Sequence, residues 1–391
     1  MSELLESRWQ ETKGALLEGL TGNKKSVMAA TLENTRKYLS ESATAGATSA
    51  GNVATLNRVI LPVIRRVMPT VIANELVGVQ PMTGPVGQIH TLRVRYSDTT
   101  TGGAENTTAG EEALSPFKIA EAYSGNDGDP AKGAATASLE GTAGNRLSIQ
   151  ILKQTVEAKT RKLSARWTFE AAQDAQAQHG VDVEAEIMAA LAQEITAEID
   201  QEILASLGNL ASTYETYDQA AVSGTATFVG DEHAALAVQI NRVANLIAQR
   251  TRRGAGNWAV VSPFALTLLQ SATTSAFART TEGTFEAPTN TKMVGTLNNA
   301  MRVYVNTYAA DNSPVLVGYK GTSESDAAAF YCPYIPLMSS GVVLDPSTFE
   351  PVVSFMTRYG YVELSNTASS LGNAADYLGK VGITNGNVSF S

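Results

Sequence analysis

Cysteine, histidine and long apolar runs are scarce in this chain of 391 residues, and each scarcity excludes a class of protein. The single cysteine, Cys332, cannot form an intrachain disulfide, so we expect folding in a reducing cytoplasm with this side chain buried in a core. His90, His179 and His233 have no metal-ligand spacing with one another or with Cys332, so no zinc site is predicted. No apolar run approaches the roughly 20 residues that span a bilayer, and we expect no membrane partner.

Catalytic motifs are also missing. The chain has no GxSxG and no HExxH sequence. Its Gly/Pro-rich turn at 78–88 is not followed by the Lys and Ser/Thr of a phosphate loop, and a strand follows it instead of a helix. We therefore predict a protein that is not an enzyme and uses no cofactor or metal. The formal charge of -9 argues against a dedicated nucleic-acid binder, which would present a basic face.

An apolar repeat after residue 182 predicts one long helix, here called the spine helix. Its apolar residues recur at every fourth position, at Val183, Ile187, Leu191, Ile195, Ile199 and Ile203. Asp182 is the predicted N-cap, and the helix is expected to run to about Leu207. A four-residue repeat drifts by about 40° per step around a helix of 3.6 residues per turn, so the buried stripe winds and meets different neighbours at its two ends.

Charge is segregated around this helix, because no Lys or Arg occurs between Arg166 and Arg242 while carboxylates accumulate there. Blocks of opposite sign could pair within one subunit or between neighbouring copies, and a solvated helix face is the alternative. The candidate contacts between subunits are Lys159, Arg161, Lys162, Arg166, Glu184, Glu186, Glu194 and Glu198. We expect charge reversal at Arg161 and Lys162 to leave folding intact and to impair assembly.

The remaining pattern predicts an α+β fold with two extensions. Residues 2–40 read as a helical arm, and 42–51 read as a joint of small residues. An amphipathic arm needs a partner, either its own body or another copy. Alternating strands at 89–96 and 147–169 bracket a polar excursion of nearly fifty residues, which we interpret as a two-stranded flap reaching over a neighbour.

Five blocks of sequence carry a family resemblance. Val63–Tyr96 (VIRRVMPTVIANELVGVQPMTGPVGQIHTLRVRY) resembles the major capsid protein of T-even-like tailed phages. The likeness recurs, in the family's order, at Gln154–Ile187, Gly256–Pro263 (GNWAVVSP), Val317–Leu337 and Asp345–Gly360.

The resemblance implies the Hong Kong 97-type capsid fold and a division of the chain into parts. These are an N-terminal arm (1–52), a first peripheral part (53–95), an E-loop (96–149), a peripheral part with the spine helix (150–210), an axial domain (211–328) and a peripheral return with the C-terminal segment (329–391). The E-loop looks shorter than in the T-even prototype. Leu16-Leu17-Glu18 and Leu39-Ser40-Glu41 fit the family's cleavage pattern only loosely, so we expect the arm to be retained.

The function implied by the resemblance is self-assembly, as hexamers and pentamers, into an icosahedral head shell that encloses double-stranded DNA. Portal, scaffold and decoration proteins are the implied partners. The DNA is an implied non-specific neighbour, which the acidic wall would enclose without binding it tightly. The protein would belong to the virion, after assembly in the host cytoplasm. The alternative is an encapsulin-like nanocompartment, in which the same fold houses enzymes.

Overall fold

The computed structural model describes residues 9–10, 13–14, 16–17, 20, 22–45, 72–100, 106–111, 113, 122–125, 133–141, 143–179, 182–219, 229–251, 253–272, 277–279, 292–298, 300–324, 326–364 and 374–384. The helices are α1 (Gly22–Ala45), α2 (Ala73–Leu76), α3 (Thr136–Leu139), α4 (Phe169–His179), the spine helix α5 (Val183–Leu210), α6 (Val229–Thr251) and α7 (Pro263–Ser271). The strands are β1 (Gly78–Val79), β2 (Val86–Tyr96), β3 (Leu147–Glu157), β4 (Lys159–Arg166), β5 (Ser212–Asp218), β6 (Trp258–Val261), β7 (Phe277–Arg279), β8 (Lys292–Leu297), β9 (Met301–Val305), β10 (Val315–Gly318), β11 (Ala329–Ser339), β12 (Val343–Leu344), β13 (Pro351–Glu363) and β14 (Leu378–Thr384). The predicted α+β class is confirmed.

The spine helix begins where the sequence predicts and ends one turn later, at Leu210. The Asp182 carboxylate accepts hydrogen bonds from the backbone N–H groups of Glu184 (3.1 Å) and Ala185 (3.4 Å), so the predicted N-cap is confirmed. Its apolar stripe is buried along most of its length. One carboxylate, Asp200, lies in this buried stripe and is fully shielded from solvent.

The spine helix packs on one face of a five-stranded sheet. The sheet runs β1-β11-β13-β12, and β4 pairs with β13 in antiparallel register. Alternation along β4 places Arg161, Leu163 and Ala165 toward the helix, while Lys162, Ser164 and Arg166 lie on the opposite face. Cys332 lies in β11 and is buried, as predicted, and burial raises the pKa of its thiol to about 11.

A second unit is built on a seven-stranded sheet of order β5-β14-β10-β6-β9-β8-β7, with α6 and α7 packed against it. The predicted boundary at 329 assigns everything after it to the peripheral return and the C-terminal segment. The structure divides this region: β11 and β13 join the five-stranded sheet, but β14 lies between β5 and β10 in the seven-stranded one. Backbone pairing on both edges of β14 fixes this placement.

The predicted flap is present as a two-stranded sheet in which β2 and β3 pair in antiparallel register. The single strand predicted for 147–169 is instead two strands and the start of a helix. The interruption is at Ala158, whose N–H donates to the carbonyl of Pro85 at 2.9 Å in continuation of the β2–β3 register, before β4 begins at Lys159. The chain thus turns from the flap into the five-stranded sheet at one residue.

The N-terminal helix α1 docks on its own body. Val27, Met28 and Leu32 are buried in the same core as the spine helix, and Asn34 donates to the carbonyl oxygens of Met82 (2.7 Å) and Tyr334 (3.2 Å). The helix continues to Ala45, so the predicted joint at 42–51 does not begin at 42. Residues 46–71, which include the rest of that joint, are outside the described residues.

Candidate functional site

Arg161 is the centre of an ionic cluster between β4, β13 and the spine helix. Its guanidinium donates to Glu198 and Glu202, each at 2.6 Å, and to the hydroxyl of Tyr359 at 2.6 Å. The two glutamates are one helical turn apart and therefore share a face. Tyr359 also donates a short hydrogen bond to Glu202. Arg161 is therefore paired within its own chain, and the expectation that its reversal spares folding is revised.

The pKa values of this cluster reflect the same contacts. Partial burial opposes the charged form of Arg161, but the hydrogen bonds with Glu202 and Tyr359 outweigh it and raise the pKa. Partial burial likewise opposes the charge on Glu202, whereas the bonds from Tyr359 and Arg161, together with the charge of Lys159, lower its pKa. Both groups are thus held charged at neutral pH. Sequence reasoning missed Glu202 and Tyr359, although the four-residue spacing from Glu198 was a signal for the first.

The other basic candidates are divided by strand alternation. Lys159 shares the face of Arg161, while Lys162 and Arg166 lie on the opposite face of the sheet. Arg166 is 69% exposed and reaches Glu350 only at 3.9 Å. Lys162 makes no ion pair with any residue that the structure describes.

The acidic candidates on the first half of the spine helix are also unpaired. Glu186 and Glu194 are exposed and Glu184 is half-buried. None of the three forms an ion pair within the described part of the chain, whereas Glu198 is paired to Arg161. At about 100° per residue, Glu186 and Glu194 point within about 80° of each other around the helix axis, whereas Glu184 lies about 160° from Glu186. We call the exposed pair Glu186 and Glu194 the acidic ridge.

A groove runs along the open face of the five-stranded sheet and encloses about 450 Å³. Lys162, Ser164, Ser340, Ser354 and Met356 are among its lining residues, and Arg166 and Arg358 lie on the same face. Arg358 lies 5.4 Å from the ring centre of Tyr334. We call this surface the basic groove.

The flap presents an uncovered apolar face. Leu147, Ile149 and Ile151 alternate along one side of β3 and are 53%, 68% and 65% exposed. Leu147 and Ile149 pair with Tyr96 and Val94 of β2. Tyr96 is buried and its ring centre lies 4.5 Å from that of Tyr123, so the uncovered apolar ladder consists of Leu147, Ile149 and Ile151 of β3. Sequence analysis recognised the strands but did not single out this ladder. Its signal was apolar alternation beside a polar excursion.

A second exposed apolar cluster lies at the turn between β12 and β13. Phe349 is 71% exposed and its ring centre is 5.9 Å from that of Phe169. The Phe349 backbone has a φ of 57°, which is uncommon for a bulky side chain, and its N–H donates to the carbonyl of Asp345 at 2.8 Å. Val343 and Leu344 are the other exposed members of this cluster.

The described residues contain no group of three or more His, Cys, Asp or Glu side chains that could hold a metal ion. No described helix is long and apolar enough to cross a membrane. Among the described residues, the surfaces that stand out are two apolar and two charged ones.

Comparison with known proteins shows the family of this chain. The family model for the major capsid protein Gp23 matches residues 53–383. The chain belongs to this family. The major capsid protein of Vibrio phage KVP40 is 30% identical over 424 residues, covering 85% of this chain and 82% of that protein. The major capsid protein of Enterobacteria phage T4 is 30% identical over 412 residues, covering 83% of this chain and 78% of that protein.

Solved structures are more distant. A chain from Microbacterium phage Oxtober96 covers 80% of this chain and 90% of its own length, at 12% identity and a TM-score of 0.47. Membership of the Gp23 family confirms the resemblance found in the sequence. The protein is a phage major capsid protein, a structural part of the virion and not an enzyme.

Proposed function

We propose that this major capsid protein assembles as hexamers and pentamers into the icosahedral shell that encloses double-stranded DNA. Assembly would take place in the host cytoplasm with portal and scaffold proteins, and decoration proteins would bind the finished shell. The observation that carries the proposal is the flap, whose apolar ladder is uncovered in the single subunit.

The flap alone is a poor folding unit. An isolated two-stranded sheet is marginally stable in water, and three or more strands or a packed layer are needed for stability. Large exposed aliphatic side chains on such a sheet favour a covering surface, since burying one contributes about 1.5 to 3 kcal/mol. A neighbouring copy supplies that surface in a shell, where each contact is repeated around every subunit.

The acidic character of the chain supports confinement of the DNA without a tight grip. Its 38 acidic residues outnumber its 29 basic ones. A wall held to the genome by many phosphate contacts would bind with a steep salt dependence. Shell integrity is therefore expected to depend on subunit contacts more than on the enclosed DNA.

The test compares two faces of the same strand. Ile149→Asp with Ile151→Asp places charges on the apolar ladder, and Ser148→Asp with Gln150→Asp places the same charges on the opposite face of β3. Purified particles are counted by negative-stain electron microscopy and sedimentation. We expect the ladder variant to remain as free subunits with an unchanged thermal unfolding midpoint, and the control to form shells.

Shells of normal yield from the ladder variant would contradict the role of the flap. Nuclease digestion of wild-type particles recovered from cells tests the contents. Protected double-stranded DNA is expected, whereas particles that hold an enzyme and no DNA would favour the encapsulin-like alternative.

A further inference from the structure

We propose that, around each ring of subunits, the basic groove of one copy receives the acidic ridge of the next copy. This inference rests on the proposed shell function and names the surfaces that meet. It narrows the eight charged candidates to Lys162 and Arg166 on one side and Glu186 and Glu194 on the other.

The two surfaces do not meet within one subunit. The spine helix covers one face of the five-stranded sheet, and the basic groove lies on the other face. The backbone of β4 therefore stands between Lys162 and the acidic ridge. The described residues accordingly show no ion pair for Lys162, Glu186 or Glu194.

Charge complementarity identifies a second copy as the occupant. The open sheet face carries Lys162, Arg166 and Arg358. Two carboxylates lie near Arg166: Glu350, at 3.9 Å, and Asp345, with which Arg166 interacts electrostatically. The ridge carries carboxylates alone, because no basic residue occurs between Arg166 and Arg242. Such complementary potentials set orientation and suppress wrong pairings.

The arrangement also suits a ring. Each copy would place its acidic ridge against one neighbour and its basic groove against the other neighbour. Two different surfaces therefore meet at each contact, which makes the contact heterologous. Heterologous contacts close into rings when the rotation between copies allows it. Arg161 does not take part, since its donors are already directed at Glu198, Glu202 and Tyr359 of the same chain.

The experiment uses full-length protein and reversed charges. The acidic variant carries Lys162→Glu and Arg166→Glu, the basic variant carries Glu186→Lys and Glu194→Lys, and a third protein carries all four changes. Lys25→Glu, at an exposed position of α1, controls for a change of net charge. Each protein is assayed for the subunit concentration at which assemblies appear, at low salt and at 0.5 M salt, and for its thermal unfolding midpoint.

We expect each two-site variant to need at least about tenfold more subunit than wild type at low salt, with an unchanged midpoint, because like charges then face each other. High salt should shrink the defect, since it screens exposed charges. The four-site protein and the Lys25→Glu control should assemble like wild type. Normal assembly of either two-site variant at low salt would overturn the proposal.

Mixing the two variants gives a further discriminating result. Acidic and basic subunits can satisfy every contact only by alternating, which closes rings of even number. The mixture should therefore form hexamers, in sheets or tubes, without five-membered vertices. Closed shells with five-membered vertices would overturn the proposal that the basic groove and the acidic ridge meet around each ring. Failure of the wild-type protein to assemble under the same conditions would instead count against the proposed shell function.

Discussion

Replacing Asp200 by Asn should remove a pH dependence that one buried carboxylate gives to the subunit. Asp200 lies on the buried face of the spine helix, where Oδ1 accepts the backbone N–H of Ile72 at 2.9 Å. Its Oδ2 is buried and accepts no hydrogen bond from the described residues. The ionisable group facing it is Tyr331, whose own pKa is raised by burial and, among smaller causes, by the charge of Asp200. Burial raises the pKa of Asp200 from 3.8 to about 7, and the hydrogen bond from Ile72 opposes the rise.

The sign follows from which state holds the proton. The unfolded chain releases the Asp200 proton near pH 3.8, and the folded chain releases it near pH 7. The stabilisation of the folded state by the protonated carboxyl is therefore fully present below pH 3.8. This stabilisation is lost as the pH rises from 3.8 to about 7, and it remains absent at higher pH. At about 1.4 kcal/mol per pKa unit the full span is about 4 kcal/mol, of which about 2 to 3 kcal/mol falls between pH 5 and pH 8.

Urea unfolding, followed through the fluorescence of the buried Trp258, measures the effect at pH 5 and pH 8. The Asn amide has two donors where Oδ2 had no partner, which costs about 1 to 3 kcal/mol at both pH values. The diagnostic quantity is therefore the change in the free energy of unfolding between pH 5 and pH 8. This change should be about 2 to 3 kcal/mol smaller in Asp200→Asn than in wild type. Asp311→Asn, at an exposed turn, should behave as wild type. Equal pH slopes in wild type and Asp200→Asn would refute this account.

Three further predictions concern packing and pairing. Leu191→Asp, in the buried stripe, should cost about 3 to 5 kcal/mol and leave no soluble folded subunit, which fractionation and circular dichroism would show. Arg161→Glu should lower the free energy of unfolding by about 2 kcal/mol because it adds a third carboxylate to the ionic cluster. Lys162→Glu should change the free energy of unfolding by no more than about 0.5 kcal/mol. Equal unfolding midpoints for the two variants would contradict the intrachain pairing of Arg161. Gly318→Ala should destabilise the seven-stranded sheet, because a Cβ there would lie 2.1 Å from a buried tryptophan ring. Gly208→Ala, whose Cβ would have nothing within 4 Å, should stabilise the spine helix by about 0.5 to 1 kcal/mol. Calorimetry that shows the unfolding temperature shifting in the same direction for both variants would contradict these two predictions.

Periodicity predicted the elements whose patterns are long or sharply bounded. The spine helix was identified from its four-residue repeat and Asp182 cap. The structure shows a comparable local signal at α7, where the Ser262 cap is followed by Pro263 in the first turn. The strands of the flap were identified from their alternation. These signals are local, so the sequence carries them without knowledge of the neighbours.

Elements defined by partners were missed. The strand β5 (STYETYD) has a mostly polar pattern, and β14 (LGKVGIT) contains two glycines. Both are held by backbone pairing with each other and with the rest of the sheet, which no local pattern encodes. The charged candidates illustrate the same limit: composition located two blocks of opposite sign, but only the alternation of β4 against the spine helix separates Arg161 from Lys162.

The position of β14 has a consequence for synthesis on the ribosome. The strand fills an inner place between β5 and β10, yet its residues are translated more than 150 positions after those of β5. A nascent chain that has emerged only as far as β10 has an incomplete sheet, whose open β10 edge would attract other chains. The sheet can close only once residue 384 has left the exit tunnel. Under the proposed shell function, a subunit would therefore be able to assemble only after translation has passed β14.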